Sequence, residues 1–132
     1  MMGMSLPQQR AIYLTSSDSG DNWANCSTPA DSEIAGFKLW TSIAMSSNGD
    51  RLVAVDAVDR SGRGGNIYTS SNSGAAWTNR STGTTANNPI SGNKNWHSIA
   101  MSDDGRYLAA VVYNGHLYTS DNYGVNWKDR SE

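Results

Sequence analysis

Few residues of this 132-residue chain could do chemistry: two histidines, His97 and His116, one cysteine, Cys26, two glutamates, Glu33 and Glu132, and a scatter of aspartates and arginines. The histidines have no partners at metal-ligand spacing, and one cysteine supplies neither a cluster nor an internal disulfide. Asp18-Ser19-Gly20-Asp21-Asn22 and Ser102-Asp103-Asp104-Gly105 lack the further ligand positions of a calcium loop. No metal and no cofactor is therefore expected. No Ser-His-Asp order or phosphate loop is written either, and the glycine cluster Ser61-Gly62-Arg63-Gly64-Gly65 reads as a hairpin tip. Recognition is the chemistry left: Trp40 and Trp96 could stack on sugar rings, with His97, Tyr113, His116, Arg60, Arg63 and Asp56 as polar neighbours. The other reading of the two tryptophans is packing, and their recurrence at equivalent positions favours it.

Composition narrows the partners. Charged residues make up 17% of the chain and the net charge is -2, so no basic field exists to hold nucleic acid or an anionic lipid surface. Apolar runs span only a few residues, and the start Met1-Met2-Gly3-Met4-Ser5 has neither a basic flank nor an apolar centre, which speaks against a membrane span or a signal peptide. The expected location is the cytoplasm, with secretion of a longer precursor left open. Asn25-Cys26-Ser27 and Asn79-Arg80-Ser81 match the glycosylation pattern and are read as chance.

The elements that must position these residues come from internal repeats, which take precedence over local propensity. One motif, LWTSIAMSSNGDRLVAV from Leu39, returns as NWHSIAMSDDGRYLAAV from Asn95. A second, YTSSNSGAAW from Tyr68, has near copies at YLTSSDSGDNW and YTSDNYGVNW, ending at Trp77, Trp23 and Trp127. Each first motif reads as a β-hairpin around a turn ending in Gly49 or Gly105. Its second strand is nearly continuous in apolar residues, which predicts burial on both faces. Each second motif reads as another hairpin, with Ile12-Tyr13, Ile67-Tyr68 or Leu117-Tyr118 on the first strand and the tryptophan on the second. Four short strands recurring every ~50 residues predict an all-β fold of four-stranded antiparallel β-propeller blades.

Ser16-x-Asp18-x-Gly20-x-x-Trp23 resembles the Asp-box, or bacterial neuraminidase repeat, of sialidase-like β-propellers. Ser70-x-Asn72-x-Gly74-x-x-Trp77 and Ser120-x-Asn122-x-Gly124-x-x-Trp127 keep everything except the acid. With the inner hairpins included, the resemblance covers residues 11–130. It implies that each box is a turn between the two outer strands of a blade. The residue types suit that role: Asp or Asn and Ser bond nearby amides, Gly permits positive φ, and Trp buries a ring beside the turn. The resemblance also raises an enzyme reading, since sialidases use an arginine cluster, a tyrosine paired with a glutamate, and an acid/base aspartate. With Glu33 and Glu132 the sole glutamates, and Arg51, Arg106, Arg80 and Arg130 recurring with the repeat as scaffold, no enzyme is expected.

A propeller concentrates binding in the loops between blades and between a blade's second and third strands. Here those are residues 28–38 and 82–95, and 59–65 and 114–115. Asp56 stands out, because aligning the inner hairpins puts it opposite Val112 in an otherwise apolar strand; it is either paired locally or faces a central channel. The expected layout is a disordered leader over 1–10 and a partial propeller over 11–132, with an outer half-blade at 11–27 and blades at 39–81 and 95–131. About two and a half blades cannot close a ring of about four to eight, so association of two or three copies is expected. The expected function is a noncatalytic binding module, lectin-like with a glycan ligand, displayed around a homo-oligomeric ring. The alternatives are a scaffold for protein-protein interaction or assembly, and a piece of a larger propeller.

Overall fold

The computed structural model describes residues 14–25, 33–34, 38–82 and 88–131, and the chain is all-β. The leader 1–10, Ile12, Tyr13, Cys26, Ser27, most of the link 28–38 and part of the link 82–95 lie outside the described residues. A two-stranded hairpin comes first, β1 (Leu14–Thr15) with β2 (Ala24–Asn25). Two four-stranded antiparallel sheets follow. The first blade is ordered β3 (Leu39–Met45), β4 (Leu52–Ala57), β5 (Ile67–Ser70), β6 (Thr78–Asn79). The second is ordered β7 (Trp96–Met101), β8 (Leu108–Val112), β9 (Leu117–Ser120), β10 (Lys128–Asp129).

The two blades match pair for pair. Ile43 faces Ala54 as Ile99 faces Ala110, and both inner hairpins carry an irregularity after the tryptophan, between Trp40 and Ser42 and between Trp96 and Ser98. In each, a serine hydroxyl anchors the inner turn: Ser46 Oγ accepts from the Arg51 amide at 3.1 Å, and Ser102 Oγ accepts from the Tyr107 amide at 3.0 Å. This register corrects the reading of Arg51 and Arg106 as equivalents. Arg51 matches Tyr107, and Asp50 matches Arg106, because the serine-to-amide bond fixes the count from the turn. The first hairpin needs a similar correction. Leu14 pairs with Asn25 as Tyr68 pairs with Asn79, so Leu14 and not Tyr13 holds the position of Tyr68.

The main core lies between the sheets. Val53, Val55 and Ile67 of the first blade are fully buried against Trp96, Ile99, Leu108, Ala110, Tyr118 and Trp127 of the second, with Ile90 between them. A second cluster, Ile34, Leu52, Ala54, Tyr68 and Trp77 with Trp40 packed on it, occupies the opposite face of the first blade. Residues Leu52 to Asp56 are thus buried on both faces, as continuous apolar character predicts. In the second blade Leu108 and Ala110 are buried while Ala109 and Val111 are half-buried. No described strand covers that second face.

The three Ser-x-Asp/Asn-x-Gly-x-x-Trp turns share one set of bonds. In the first, Ser16 Oγ donates to Asp18 Oδ1 and accepts from the Gly20 amide, both at 2.8 Å, and Trp23 Nε1 donates to Gly20 O at 2.9 Å. Asn72 Oδ1 accepts from Ser70 Oγ at 3.0 Å and from the Ala76 amide at 2.8 Å, and Asn122 Oδ1 from Ser120 Oγ at 3.1 Å and from the Asn126 amide at 2.9 Å. The asparagine carbonyl does there what the carboxylate does at Asp18. Trp77 and Trp127 are buried, whereas Trp23 is 62% exposed. The difference lies in what stands behind the turn: β1 and β2 have no sheet against them among the described residues.

The glycosylation-like triplet Asn79-Arg80-Ser81 has a structural reason as well. Asn79 Oδ1 accepts from the Ser81 amide at 2.9 Å, and buried Ser81 Oγ accepts from the Ile67 amide at 2.9 Å. Asp129 and Ser131 repeat both bonds, with the Leu117 amide as donor. Arg80 and Arg130 each donate through Nε to a threonine hydroxyl, Thr69 or Thr119, at 2.8 Å, which places both in the scaffold.

Candidate functional site

The blades part company at one end. Between β8 and β9 the chain turns tightly, with Asn114 at φ 52 and the Gly115 amide donating to Val112 O at 3.0 Å. Between β4 and β5 it makes a longer loop, residues 58–66, organised by Asp59, whose Oδ1 accepts from the Ser61 amide at 2.8 Å and the Arg63 amide at 2.9 Å. The loop is tied down on its far side. The Val58 amide donates to Asn95 Oδ1 at 3.1 Å, Asn93 Nδ2 donates to Gly62 O, and Trp96 Nε1 donates to Gly65 O at 3.0 Å. Gly65 sits so close to Lys94 that a Cβ would lie 2.5 Å from its backbone nitrogen, so no other residue fits at this φ of +78°.

Beneath this loop lies a cleft of about 710 Å³ lined by Lys38, Asp56, Arg60, Arg63, Asn66 and Tyr68, among others. Asp56 forms its floor. It is 1% exposed, and its Oδ1 accepts from the Asn66 amide at 2.7 Å, so of the two readings of this acid the local partner is what the geometry shows. Burial raises its pKa above the usual carboxylate value; the Asn66 bond and the positive charge of Lys38 oppose the rise. Burial likewise pushes the Tyr68 hydroxyl far up, and the Asp56 charge adds to that. Lys38 Nζ lies 5.2 Å from the centre of the Tyr68 ring.

Arg60 and Arg63 are exposed at the rim, and among the described residues no carboxylate forms an ion pair with them or with Lys38. Asp59 is occupied with loop amides. The cleft therefore combines three cations and a buried acid beside the buried Tyr68 ring. Its second-blade counterpart has Val112 for Asp56 and a tight turn for the loop, while Lys94 lies 5.9 Å from the Tyr118 ring as Lys38 does from Tyr68.

The sequence-derived candidates divide accordingly. Asp56, Arg60 and Arg63 meet in the cleft. Trp40 packs edge-on to Tyr68 with ring centres 5.4 Å apart, and its Nε1 is buried without a hydrogen-bond partner. Trp96 is 1% exposed and meets Tyr118 edge-on at 5.3 Å, leaving no ring face open. On the second blade, His97 lies 6.1 Å from the exposed Tyr113 ring, and His116 Nδ1 is 2.6 Å from Asp129 Oδ2, a bond that holds Asp129 below the usual carboxylate range. These three do not join the cleft. The sequence reading missed Lys38, Asp59, Asn66 and Tyr68. Lys38 and Tyr68 recur as Lys94 and Tyr118, so periodicity marks them as scaffold. Asp59 could have been found, since an Asp two and four residues before loop amides is a common turn device.

No protein-family model and no curated sequence matches the chain. Among solved structures it is similar to YCF48 bound to D1 peptide, with TM-score 0.62 and 14% identity over 91% of this chain and 34% of that one. It is also similar to YCF48 from Cyanidioschyzon merolae, with TM-score 0.56 and 15% identity over 88% of this chain and 29% of that one. A GH74 enzyme from Niastella koreensis matches with TM-score 0.47 and 21% identity over 70% of this chain and 11% of that one. The fold is that of β-propeller blades. The chain spans about a third of the length of the YCF48 structures it matches.

Proposed function

We propose that this chain is a noncatalytic β-propeller binding module of the Asp-box kind that takes a polypeptide segment in the cleft of its first blade, within a ring of two or three copies. The observation that carries the reading is the cleft itself, in which Lys38, Arg60 and Arg63 form no ion pair with a described carboxylate, the charge of Lys38 acts on buried Asp56, and the Tyr68 ring lies beside them. Arg60 and Arg63, exposed at the rim of a concave site with no described carboxylate paired to them, suit a carboxylate ligand, so the segment is acidic or ends in a free carboxylate. One of the similar structures, YCF48, is described with a peptide bound, which makes a peptide a fitting occupant for this fold as well.

Two features speak against catalysis. Tyr68, beside an acid and two arginines, has the makings of a nucleophile, but burial and the Asp56 charge hold its proton. Asp56 is engaged with the loop amide of Asn66. A glycan ligand has weaker support, because Trp96 offers no open ring and Trp40 is packed on Tyr68.

The test is fluorescence anisotropy with a panel of short fluorescein-labelled peptides, acidic, neutral and basic, beside a glycan array. Acidic peptides should bind, and the double variant Arg60→Ala/Arg63→Ala should weaken them at least tenfold. Binding to glycans alone, lost on Trp40→Ala, would replace this reading with the lectin-like one.

A further inference from the structure

The interface between the two blades shows how one blade receives the next, and among the described residues parts of both halves of that interface recur without a partner: the leaving face of the second blade is open, and on the first blade the entering face is buried at Leu52, Ala54, Tyr68 and Trp77 but open along β3. Ile99 of β7, against Val53 and Val55, is 6% exposed; its counterpart Ile43 on β3 is 47% exposed. Val53, Val55 and Ile67 are fully buried; their counterparts Ala109 and Val111 are half-buried and Leu117 is exposed. A further cavity of about 500 Å³ opens over this face, lined by Tyr107, Ala109 and Thr119 among others. The face leaving the second blade and the β3 side of the first blade thus repeat the chemistry of the two surfaces already seen joined.

From this we infer that a second copy of this chain docks head to tail, its β3 entering against β7 and β8 as β7 enters against β3 and β4. The inference rests on the ring reading above and not on the ligand of the cleft. The internal interface fixes the register. The Ile99 amide donates to Ser42 Oγ at 3.2 Å, and Thr41 Oγ1 donates to Trp96 O at 2.8 Å. Between copies Ser98 takes the role of Ser42, with the Ile43 amide as donor, and His97 takes that of Thr41, with Trp40 O as acceptor. Both Ser98 and His97 are exposed.

The turns give the most specific match. The Arg51 side chain lies across Gly105, where a Cβ would come within 2.6 Å of it, and its guanidinium sits 3.9 Å from the centre of the Tyr123 ring. At the corresponding place on the first blade Gly49 has open space above it, and Ser73 stands where Tyr123 does. The side chain that arrives there is Tyr107, 54% exposed, in place of Arg51. A large ring meets a small serine at one interface and a slim arginine meets a ring at the other, so each combination fills the same gap. Trp40 Nε1 adds a further sign. Trp96 Nε1 bonds to Gly65 O, and the counterpart of Gly65 is Gly115, so the unpartnered Trp40 donor matches the Gly115 carbonyl of a second copy. Reaching it requires displacement of what now shields that nitrogen from water.

Such an interface is heterologous and closes into a ring of copies when the rotation allows. Two variants separate its halves: Ile43→Arg blocks the entering side, and Ala109→Arg blocks the leaving side. By light scattering over a dilution series, the wild type should be a dimer or trimer and each variant a monomer. An equimolar mixture of the two variants should give a complex of two chains and nothing larger, because each brings one intact half. Near-UV circular dichroism checks that the tryptophans stay packed, and the milder Ile43→Ala and Tyr107→Ala should each weaken association at least tenfold. A wild-type oligomer whose mass neither arginine variant changes overturns this interface and leaves the ring standing. Monomeric variants whose mixture stays monomeric overturn the head-to-tail arrangement. A wild type that is monomeric at every concentration removes the ring and this interface together, leaving further blades of a longer chain to cover both faces.

Discussion

The two blades are alike in strand pairing, box turns, arginine-to-threonine bonds and the serine bond at the start of the third strand, yet one ends in a cleft and the other in a tight turn. Their tryptophans show a second difference. Trp96 is sealed between blades with its indole nitrogen bonded, and Trp40 is partly exposed with that nitrogen unpartnered. Most of what repeats in this chain is structural, and the cleft arises where a loop and an acid depart from the repeat.

The largest expected break in the likeness is at the tryptophans. Trp96→Ala empties the interblade core and should cost about 3–5 kcal/mol. In the monomeric Ile43→Arg background Trp40→Ala should cost clearly less in urea unfolding, since it removes a part-exposed ring along with an unsatisfied donor. Equal costs would mean that the first blade is already as enclosed as the second.

Asp56→Val makes the first blade copy the second at this position. It leaves the Asn66 amide without its acceptor, an expected loss of about 1–3 kcal/mol. The acid also has a pH signature. Because its folded pKa is raised above 3.8, folding favours the protonated form. Its stabilising contribution is fully present below the unfolded pKa and is lost as pH rises through the folded pKa. Compared with Asp56→Asn, the wild type should therefore lose stability from about pH 4 upward. Asp18 should act in the opposite sense. Hydrogen bonds from the Asn22 side chain and amide and from Ser16 hold it at about 2, so its contribution is present above 3.8 and fades as pH falls toward 2.

The serines at the strand starts sharpen the comparison at smaller scale. Ser81→Ala leaves the buried Ile67 amide unpaired and should cost about 1–2 kcal/mol, while Ser131→Ala, in an exposed copy of the same bond, should cost a few tenths, on the order of 0.3 kcal/mol. Among the tryptophans the smallest effect belongs to Trp23→Ala. With no described sheet behind it, this tryptophan should change stability by less than about 0.5 kcal/mol, against ~3 or more for Trp127→Ala.

Much of the fold could be read from the sequence because the repeats carry it. The period of the Ser-Ile-Ala-Met-Ser hairpins and of the box tryptophans sets strand number and order, and Ser, Asn or Asp, and Gly each make the turn bond their chemistry suits. Reading failed where similarity of letters was not similarity of register. Arg51 and Arg106 each lie close to a turn glycine and look equivalent, yet the bonds of Ser46 and Ser102 set them one residue apart. Leu14 displaces Tyr13 from the place that a match of Ile-Tyr pairs assigns to it. Of the cleft, Asp56 was legible because it is an acid among apolar counterparts, and Arg60 and Arg63 because they sit in a loop the other blade lacks. Lys38 and Tyr68 were hidden by recurring, since a repeated residue looks like packing even where a neighbouring loop turns it into a wall of a site. Which side chains a loop brings over a strand depends on its tertiary ties, here the bonds to Asn93, Asn95 and Trp96, and those are not local in sequence.

The difference between the blades is tested most directly by backbone amide chemical shifts, recorded while an acidic peptide from the binding panel is titrated into the labelled protein. Shifts are expected at Lys38 and through residues 58–66, with the tight turn at Val112 to His116 unmoved. Shifts at the tight turn equal to those in the loop, or confined to the edge of β3 and the open face of β8, would contradict that expectation.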